Sequence, residues 1–435
     1  MSILFTNARV LTMDEACPVL HGAFVAVEGS VISQVGLSRP QGEFERVIDC
    51  AGKLLMPGLV NAHTHVPMTL MRGYGGGHNL QDWLNHFIFP AEDKLDSRAV
   101  RAAVGLAAAE LIAAGVTSIA DMYYFCEDIA QVVAASGLNA NLCRSVTCFQ
   151  PQERPEEFAS CREMRELVER WHGYNDGQIR VDASIHAEYT SFAAPGMWEY
   201  LARYAADHGL GMHVHISETR TEHEECIARH GTTPLQTLDR YGVWDVRALA
   251  AHCVWCTPED MALMAKKGVT AVHNPVSNLK LGSGVADVPA LLEAGVNVAL
   301  GTDGPSSNNS QDLLEEVKLA AMLHGGVRHD PMAVTPWQAL EMATVNGGRA
   351  LGRRCGRVAV GWDADLILLD FRRPSLMPCH DPVENVVFAA RGGDVVMNMA
   401  RGRVIYENGT YHTLDLEAIR DEVNGYALPK IFGNL

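Results

Sequence analysis

The sequence predicts an α/β protein. It reads as a (β/α)8 TIM-like barrel over residues 56–359, with a small β-sandwich domain assembled from residues 1–55 and 360–435. Three observations carry this. Through the middle of the chain, short apolar β-branched runs alternate with longer helical stretches, the rhythm of βα units and a parallel sheet. Eight such runs can be counted, the number that a closed barrel of this kind requires. Both ends have a different texture of short alternating strands and glycine turns, and the termini of a compact domain commonly lie close together.

The first flank contains "ILFTNARVLTM", "GAFVAVEGSVISQV" and "RVIDCAGKLLM". The barrel strands follow as "LLMPGLVNAH", "GVTSIADM", "NANLCRSV", "IRVDASIH", "LGMHVHIS", "RALAAHCV", "VTAVHN" and "NVALGTD". Helical stretches such as "SRAVRAAVGLAAAELIAAG" and "TPEDMALMAKKG" separate them. The last flank, "RVAVGWDADLILLDF" and "VVFAARGGDVVMNMARGRVIYENG", returns to the first texture. A doubly wound sheet is the alternative, but no glycine-rich nucleotide fingerprint follows any strand. "GYGGGHN", Gly73 to Asn79, reads as a mobile loop, a lid rather than a phosphate cradle.

Composition narrows the partners. The formal charge is -17 and no basic tract offsets it, which argues against nucleic acid and anionic membrane surfaces. No apolar run reaches the roughly 18 to 20 residues of a membrane helix. The N-terminus lacks a charged segment followed by an apolar one. Eleven dispersed cysteines point to reduced thiols and the cytoplasm. Cys253 and Cys256 have Cys-x-x-Cys spacing but no second pair, so they carry no metal or redox assignment.

Polar residues gather at the C-terminal ends of the barrel strands, where barrel active sites form. His63 and His65 end the first strand and His186 the fourth. His213 and His215 end the fifth, His252 the sixth, His273 the seventh and Asp303 the eighth. A single histidine of this kind is most often a satisfied core residue. Five successive strands ending in His or Asp are a pattern.

Side chains two apart on a strand share a face at a spacing of roughly 7 Å. His63, His65, His215 and Asp303 would offer three nitrogens and one carboxylate oxygen to one ion, as catalytic zinc sites do while keeping a position for water. A structural zinc site would favour cysteine. His213 shares the face of His215, and strand period cannot choose between them. Glu218, on the loop just after His215, favours His215. Near such a centre Glu218 can shuttle protons; the bland alternatives are a solvated loop acid or an N-cap contact. No lysine occurs between Lys94 and Lys266, so a carboxylated-lysine bridge is not available and one metal ion is expected.

The motifs "MPGLVNAHTH", "HVHISE", "AHC", "VHNPVSN" and "LGTDGPSSNNSQDLLEEVKLA" resemble the amidohydrolase superfamily across nearly the whole chain. More narrowly the chain is similar to the 5-methylthioadenosine/S-adenosylhomocysteine deaminases. That resemblance implies a barrel of the metal-dependent hydrolase type, with His63, His65, His215 and Asp303 as metal ligands. It implies one divalent ion, zinc first, with iron or manganese open. Glu218 and His252 would handle protons together with Asp303. Glu92 and Trp83 in "DWLNHFIFPAED", His186 in "HAEYTS", Arg144 in "CRSV", Arg154 in "PQERPEEF" and Ser307 in "GPSSNN" would meet the substrate, as would Glu218. The Ala-Glu after His186 departs from a His-Ser-Pro-Tyr pattern. The implied substrate is a 5′-modified adenosine, and the implied assembly a homo-oligomer, dimer or tetramer.

If Arg144 and Arg154 pair with a homocysteine carboxylate, S-adenosylhomocysteine is favoured. If they point elsewhere, methylthioadenosine, adenosine and 5′-deoxyadenosine become equal candidates. The rival on the same scaffold is an aminohydrolase or chlorohydrolase of a triazine, guanine-like base or pterin. A catalytically inactive binding protein would show a missing ligand or acid, and none is missing.

Overall fold

The computed structural model of the protein describes residues 2–433. The first five strands are β1 (Ser2–Leu11), β2 (Val19–Glu28), β3 (Val31–Gly36), β4 (Arg46–Asp49) and β5 (Lys53–Pro57). The eight barrel positions follow. They are β6 (Leu59–Thr64), β7 (Val116–Tyr123), β8 (Asn139–Arg144), the pair β9 (Ile179–Val181) and β10 (Ala183–Ala187), β11 (Met212–Ile216), β12 (Ala248–His252), β13 (Thr270–His273) and β14 (Asn297–Leu300). The last strands are β15 (Leu366–Asp370), β16 (Val395–Ala400), β17 (Arg403–Glu407) and β18 (Thr410–Tyr411).

The two flanks form one sheet in the order β18-β17-β16-β15-β5-β1-β2-β3, with β4 beside β1. The flanks join where Leu55 of β5 faces Leu368 of antiparallel β15. Strand alternation turns Ile3, Phe5, Val25, Val27, Leu366, Leu368, Met397 and Met399 toward one apolar core. Bonds from Ile32 N–H to Trp362 O (2.9 Å) and from Ala364 N–H to Ser30 O (2.8 Å) curl the far edge back over that core. β5 stays in this sheet to Pro57, two residues past the boundary that texture suggests.

Gly58 carries the chain from sheet to barrel. A Cβ there would lie 2.2 Å from the Thr117 side chain, so only glycine lets β6 meet β7 this closely.

The barrel strands are parallel and buried, as continuous β-branched runs predict. The fourth run is interrupted at Asp182. Its N–H donates to Leu142 O, and the next N–H, of Ala183, donates to Gly211 O, both at 2.9 Å. One residue thus passes the ladder from one neighbour to the other. The circle closes where Thr64 pairs with Asp303 and Asp303 N–H donates to His63 O (3.0 Å). Inside, Val60, Ala62, Ala120, Leu249, Val272 and Ala299 cluster with Ala350, Leu351 and Cys355.

The outer helix Ser97–Ala113 is alanine-rich, which allows close approach to the sheet, and Asp96 caps it by accepting from Ala99 N–H (2.9 Å). The last described residues were grouped with the β unit by sequence. In the structure they are helical, over Leu416–Glu422 and Leu428–Phe432, and pack on this barrel helix instead. Arg98 pairs with Glu422 (2.7 Å), and Tyr426 OH donates to Asp96 Oδ2 (2.6 Å). Among the described residues no helix is long and apolar enough to cross a membrane.

Candidate active site

Four side chains converge above the barrel mouth. Asp303 Oδ1 lies 3.4 Å from His63 Nε2 and 3.2 Å from His65 Nε2, and His215 Nε2 lies 3.3 Å from His65 Nε2. The opposite ring nitrogens are held from behind. His65 Nδ1 meets Met122 O at 2.5 Å, and His215 Nδ1 meets His186 O at 2.6 Å. A carbonyl only accepts, so each Nδ1 carries a proton and each Nε2 turns its remaining capacity to the centre. His63 Nδ1 meets His213 Nε2 at 2.8 Å. His213 therefore sits one layer deeper, orienting His63, while His215 reaches the centre.

The backbone is strained where these groups are aimed. Ser217, His252, Cys253 and Asp303 all have positive φ (48°, 73°, 52° and 61°) without being glycine. Such residues cost about 1–3 kcal/mol each and persist only when surroundings enforce them. Gly301 is part of that enforcement, because a Cβ there would lie 2.8 Å from the Cβ of His63.

The electrostatics ask for a cation. Burial opposes ionisation of Asp303, yet the neighbouring imidazoles of His63 and His65 hold its carboxyl well below the usual range. Burial alone would depress His65, but Asp303 outweighs it and raises that imidazole to about 9. His63 is pushed down to about 3, and His215 well below its ordinary value, chiefly by burial. Two neutral imidazoles, one carboxylate and a position demanding positive charge suit a divalent ion. His63 Nε2 is buried and has no hydrogen-bond partner among the described residues, which is the orphan that a metal would satisfy. Asp303 Oδ2 is fixed by the hydroxyls of Ser277 (2.6 Å) and Ser307 (2.9 Å), leaving Oδ1 toward the histidines.

Glu218 and His252 face one another beside this centre, with Oε2 3.6 Å from Nε2. Glu218 is not the helix cap. Thr219 accepts from Glu222 N–H, and Glu222 takes the N–H groups of Ser217 and Glu218, so the Glu218 carboxylate stays free for the cavity. Ser283 Oγ donates to Glu218 Oε1 (3.3 Å), and Asn278 Oδ1 meets His252 Nδ1 (2.9 Å). Burial raises the pKa of Glu218, and the nearby His252 only partly offsets this.

A cavity opens over these groups, and Glu92, Trp83, His186 and Ser307 line it. Glu92 accepts from Tyr123 OH (2.5 Å), and burial lifts its carboxyl to about 7. Trp83 is buried, and its Nε1 donates to Tyr74 O (3.4 Å), so part of its task is packing. The His186 ring stands 4.7 Å from that of His215, and burial holds it down to about 3.

Arg144 and Arg154 are not among the residues that line the cavity. Arg144 donates to Glu163 (2.5 Å) and Arg154 to Glu157 (2.8 Å), the latter on an exposed turn. Arg144 also donates to the carbonyl of Ser145, a lining residue. His273 does not line the cavity either; its ring lies tilted against that of His324, centroids 5.4 Å apart. None of Gly73–Asn79 lines the cavity; the helical segment 80–92 that follows does, through Leu80, Leu84, Ile88 and Phe89.

Sequence reasoning missed this apolar helix face, although its spacing at 80, 84 and 88 was visible. It also missed Tyr123, Tyr124 and Tyr189, which carry no such signal. Ser277 and Asn278 lay inside the motif "VHNPVSN".

A sequence description of the Amidohydrolase family matches residues 54–405. A protein of Acetivibrio thermocellus named 5-methylthioadenosine/S-adenosylhomocysteine deaminase is 39% identical over 432 residues, 98% of this chain and 99% of its own length. A protein of Methanosarcina acetivorans named 5′-deoxyadenosine deaminase is 39% identical over 423 residues, 97% of this chain and 96% of its own. The crystal structure of an adenosine deaminase from Xanthomonas campestris with bound zinc superposes with a TM-score of 0.91 over 97% of each chain, at 31% identity. With strand ends, glycine crossings and full-length kinship in agreement, the chain belongs to the amidohydrolase family.

Proposed function

We propose that this protein is a metal-dependent hydrolytic deaminase of adenosine-type nucleosides. It would release ammonia and an inosine-type product. The observation that carries the reading is the buried Glu218–His252 pair, set at the edge of the His63, His65, His215 and Asp303 cluster and inside one cavity. The full-length kinship with proteins named as deaminases of 5′-modified adenosines supports the substrate.

His63, His65, His215 and Asp303 would hold one divalent ion, zinc by their nitrogen and oxygen donors. A bound ion there supplies Lewis acidity that brings the pKa of water toward about 7. His252 and Asp303 orient the attacking water and take its proton. The oxygen bonds to the ring carbon that bears the amino group. Glu218, whose pKa burial raises, gives a proton to the adjacent ring nitrogen, so the ring accepts the electron pair. His252 returns a proton to the amine, ammonia leaves, and the hydroxyl proton goes back to Glu218 as the carbonyl forms. Glu92 accepts from the ribose hydroxyls, and Ser307 keeps Asp303 in place. His186 and Trp83 bound the base and sugar.

Self-association as a dimer or tetramer and a cytoplasmic location are further parts of this proposal, the latter resting on the dispersed cysteines. Ammonia release from metal-replete protein across adenosine derivatives, free bases, triazines and pterins tests the function. Turnover of a free base or triazine in preference to every nucleoside would reject it.

A further inference from the structure

We propose that Glu188 is a positioning residue: it ties the turn that carries Tyr189 to the end of the helix Arg220–His230, and so fixes one wall of the substrate cavity. The inference rests on the nucleoside reading above and adds a residue that acts without touching the substrate.

Ala187 and Glu188 stand where the resembled pattern has Ser-Pro. A proline holds a turn through its own ring. A glutamate holds one only through its partners, and Glu188 has them. Its side chain is 0% exposed. Arg229 reaches both of its oxygens, at 3.1 and 2.6 Å, and His230 Nε2 meets Oε1 at 2.9 Å. The Arg229 guanidinium also stacks 4.8 Å over the Phe192 ring. A buried carboxylate persists only while such partners hold it, so the turn and the helix end constrain one another. Cys226 stands close enough to complete a metal-binding set with Glu188 and His230, but Arg229 already supplies the cation there.

The residues before and after this tie have anchors of their own. His186 N–H donates to Val146 O (2.9 Å), and its carbonyl receives His215 Nδ1. Cys148 N–H donates to Thr190 O (2.8 Å), and Trp198 Nε1 to Ser191 Oγ (2.8 Å). Between these anchors the side chain of Glu188 supplies the tie. Tyr189 follows it and lines the cavity, its ring edge-on to that of His186 with centroids 6.0 Å apart. A wall fixed before binding spares the ligand the cost of ordering it. Loosening that wall weakens binding, while Glu218 and His252 keep their supports in Ser283 and Asn278.

The test compares metal-replete, full-length Glu188→Gln and Arg229→Gln proteins with the parent on adenosine and 5′-methylthioadenosine. Arg229 is partly exposed, so its variant carries the test if Glu188→Gln does not fold. KM is expected to rise about five- to tenfold with kcat within about twofold of the parent. Hydrogen exchange of the amides at 187–190 is expected to quicken by about tenfold, with β12 unchanged. In a Tyr189→Ala background neither substitution should raise KM further, because the wall it positions is already gone. An unchanged KM, a matching fall in kcat, or a full further rise in the Tyr189→Ala background would overturn the positioning role. Unaltered exchange at 187–190 would overturn the tie itself. If the parent releases no ammonia from any nucleoside, deamination fails, and the exchange measurement still decides the tie.

Discussion

Glu218 Oε2 and His252 Nε2 stand 3.6 Å apart, both side chains buried, beneath a cavity that reaches the Asp303 cluster. The acid is held by Ser283 and the imidazole by Asn278, so neither needs to reorganise before a proton moves. Burial favours the protonated carboxyl of Glu218, the form that an electron-accepting ring nitrogen requires.

Replacing Glu218 by Gln keeps the shape and removes the transferable proton. Metal content is expected to persist while kcat falls by about 100- to 10,000-fold. Metal analysis beside an ammonia assay checks this; turnover within a factor of a few of the parent would remove Glu218 from the mechanism.

Chelation is expected to abolish turnover and lower the thermal midpoint, because an ion that binds only the folded chain stabilises it. Added zinc should restore both. His63→Ala and Asp303→Asn should block the restoration, since each removes a donor from the centre. Full activity in protein from which metal analysis detects no ion would contradict the assignment.

Glu92 lines the cavity with a carboxylate that can accept two hydroxyls. Glu92→Ala should lower kcat/KM for a nucleoside by about 10- to 100-fold, as expected for lost hydrogen bonds to a charged group. The free base should change little. Equal losses on base and nucleoside would refute the ribose role.

Asp365 tests the pH dependence of stability far from the site. Burial raises its carboxyl from 3.8 to about 6, although Arg401 N–H donates to it at 2.6 Å. The folded chain therefore binds this proton more tightly than the unfolded one. Its contribution is fully present below pH 3.8 and is lost as pH rises to about 6. The loss is at most about 3 kcal/mol. Denaturant unfolding between these pH values should show a decline that Asp365→Asn flattens, whatever the variant's absolute stability. Identical slopes in both proteins would show that Asp365 is not its source.

Much of the fold was legible because burial writes itself into pattern. Eight apolar runs with helices between them became eight barrel positions, with one hidden break at Asp182. The strand-end residues were legible because strand period and strand ending together say which side chains rise over the mouth. Strand period alone did not choose between His213 and His215, and the position of Glu218 decided for His215. Both face inward, and only their depth, marked by the bond from His213 to His63, separates them. The helices of 416–432 were misplaced because short amphipathic turns carry no sign of the surface they will meet.

The sequence by itself determined the barrel, the flanking sheet and the chemical identity of the groups at the strand ends, since these follow from periodicity and local order. Only the tertiary structure decided which of those groups share a centre and which segment covers it. Arg144 shows why. Its charge is plain in the sequence, but it ends a strand while Glu163 comes from the helix Ala159–Trp171, and an ion pair at 2.5 Å beside a cavity one ring away exists only once both are in place. Long-range electrostatics and burial depend on neighbours that chain order does not adjoin.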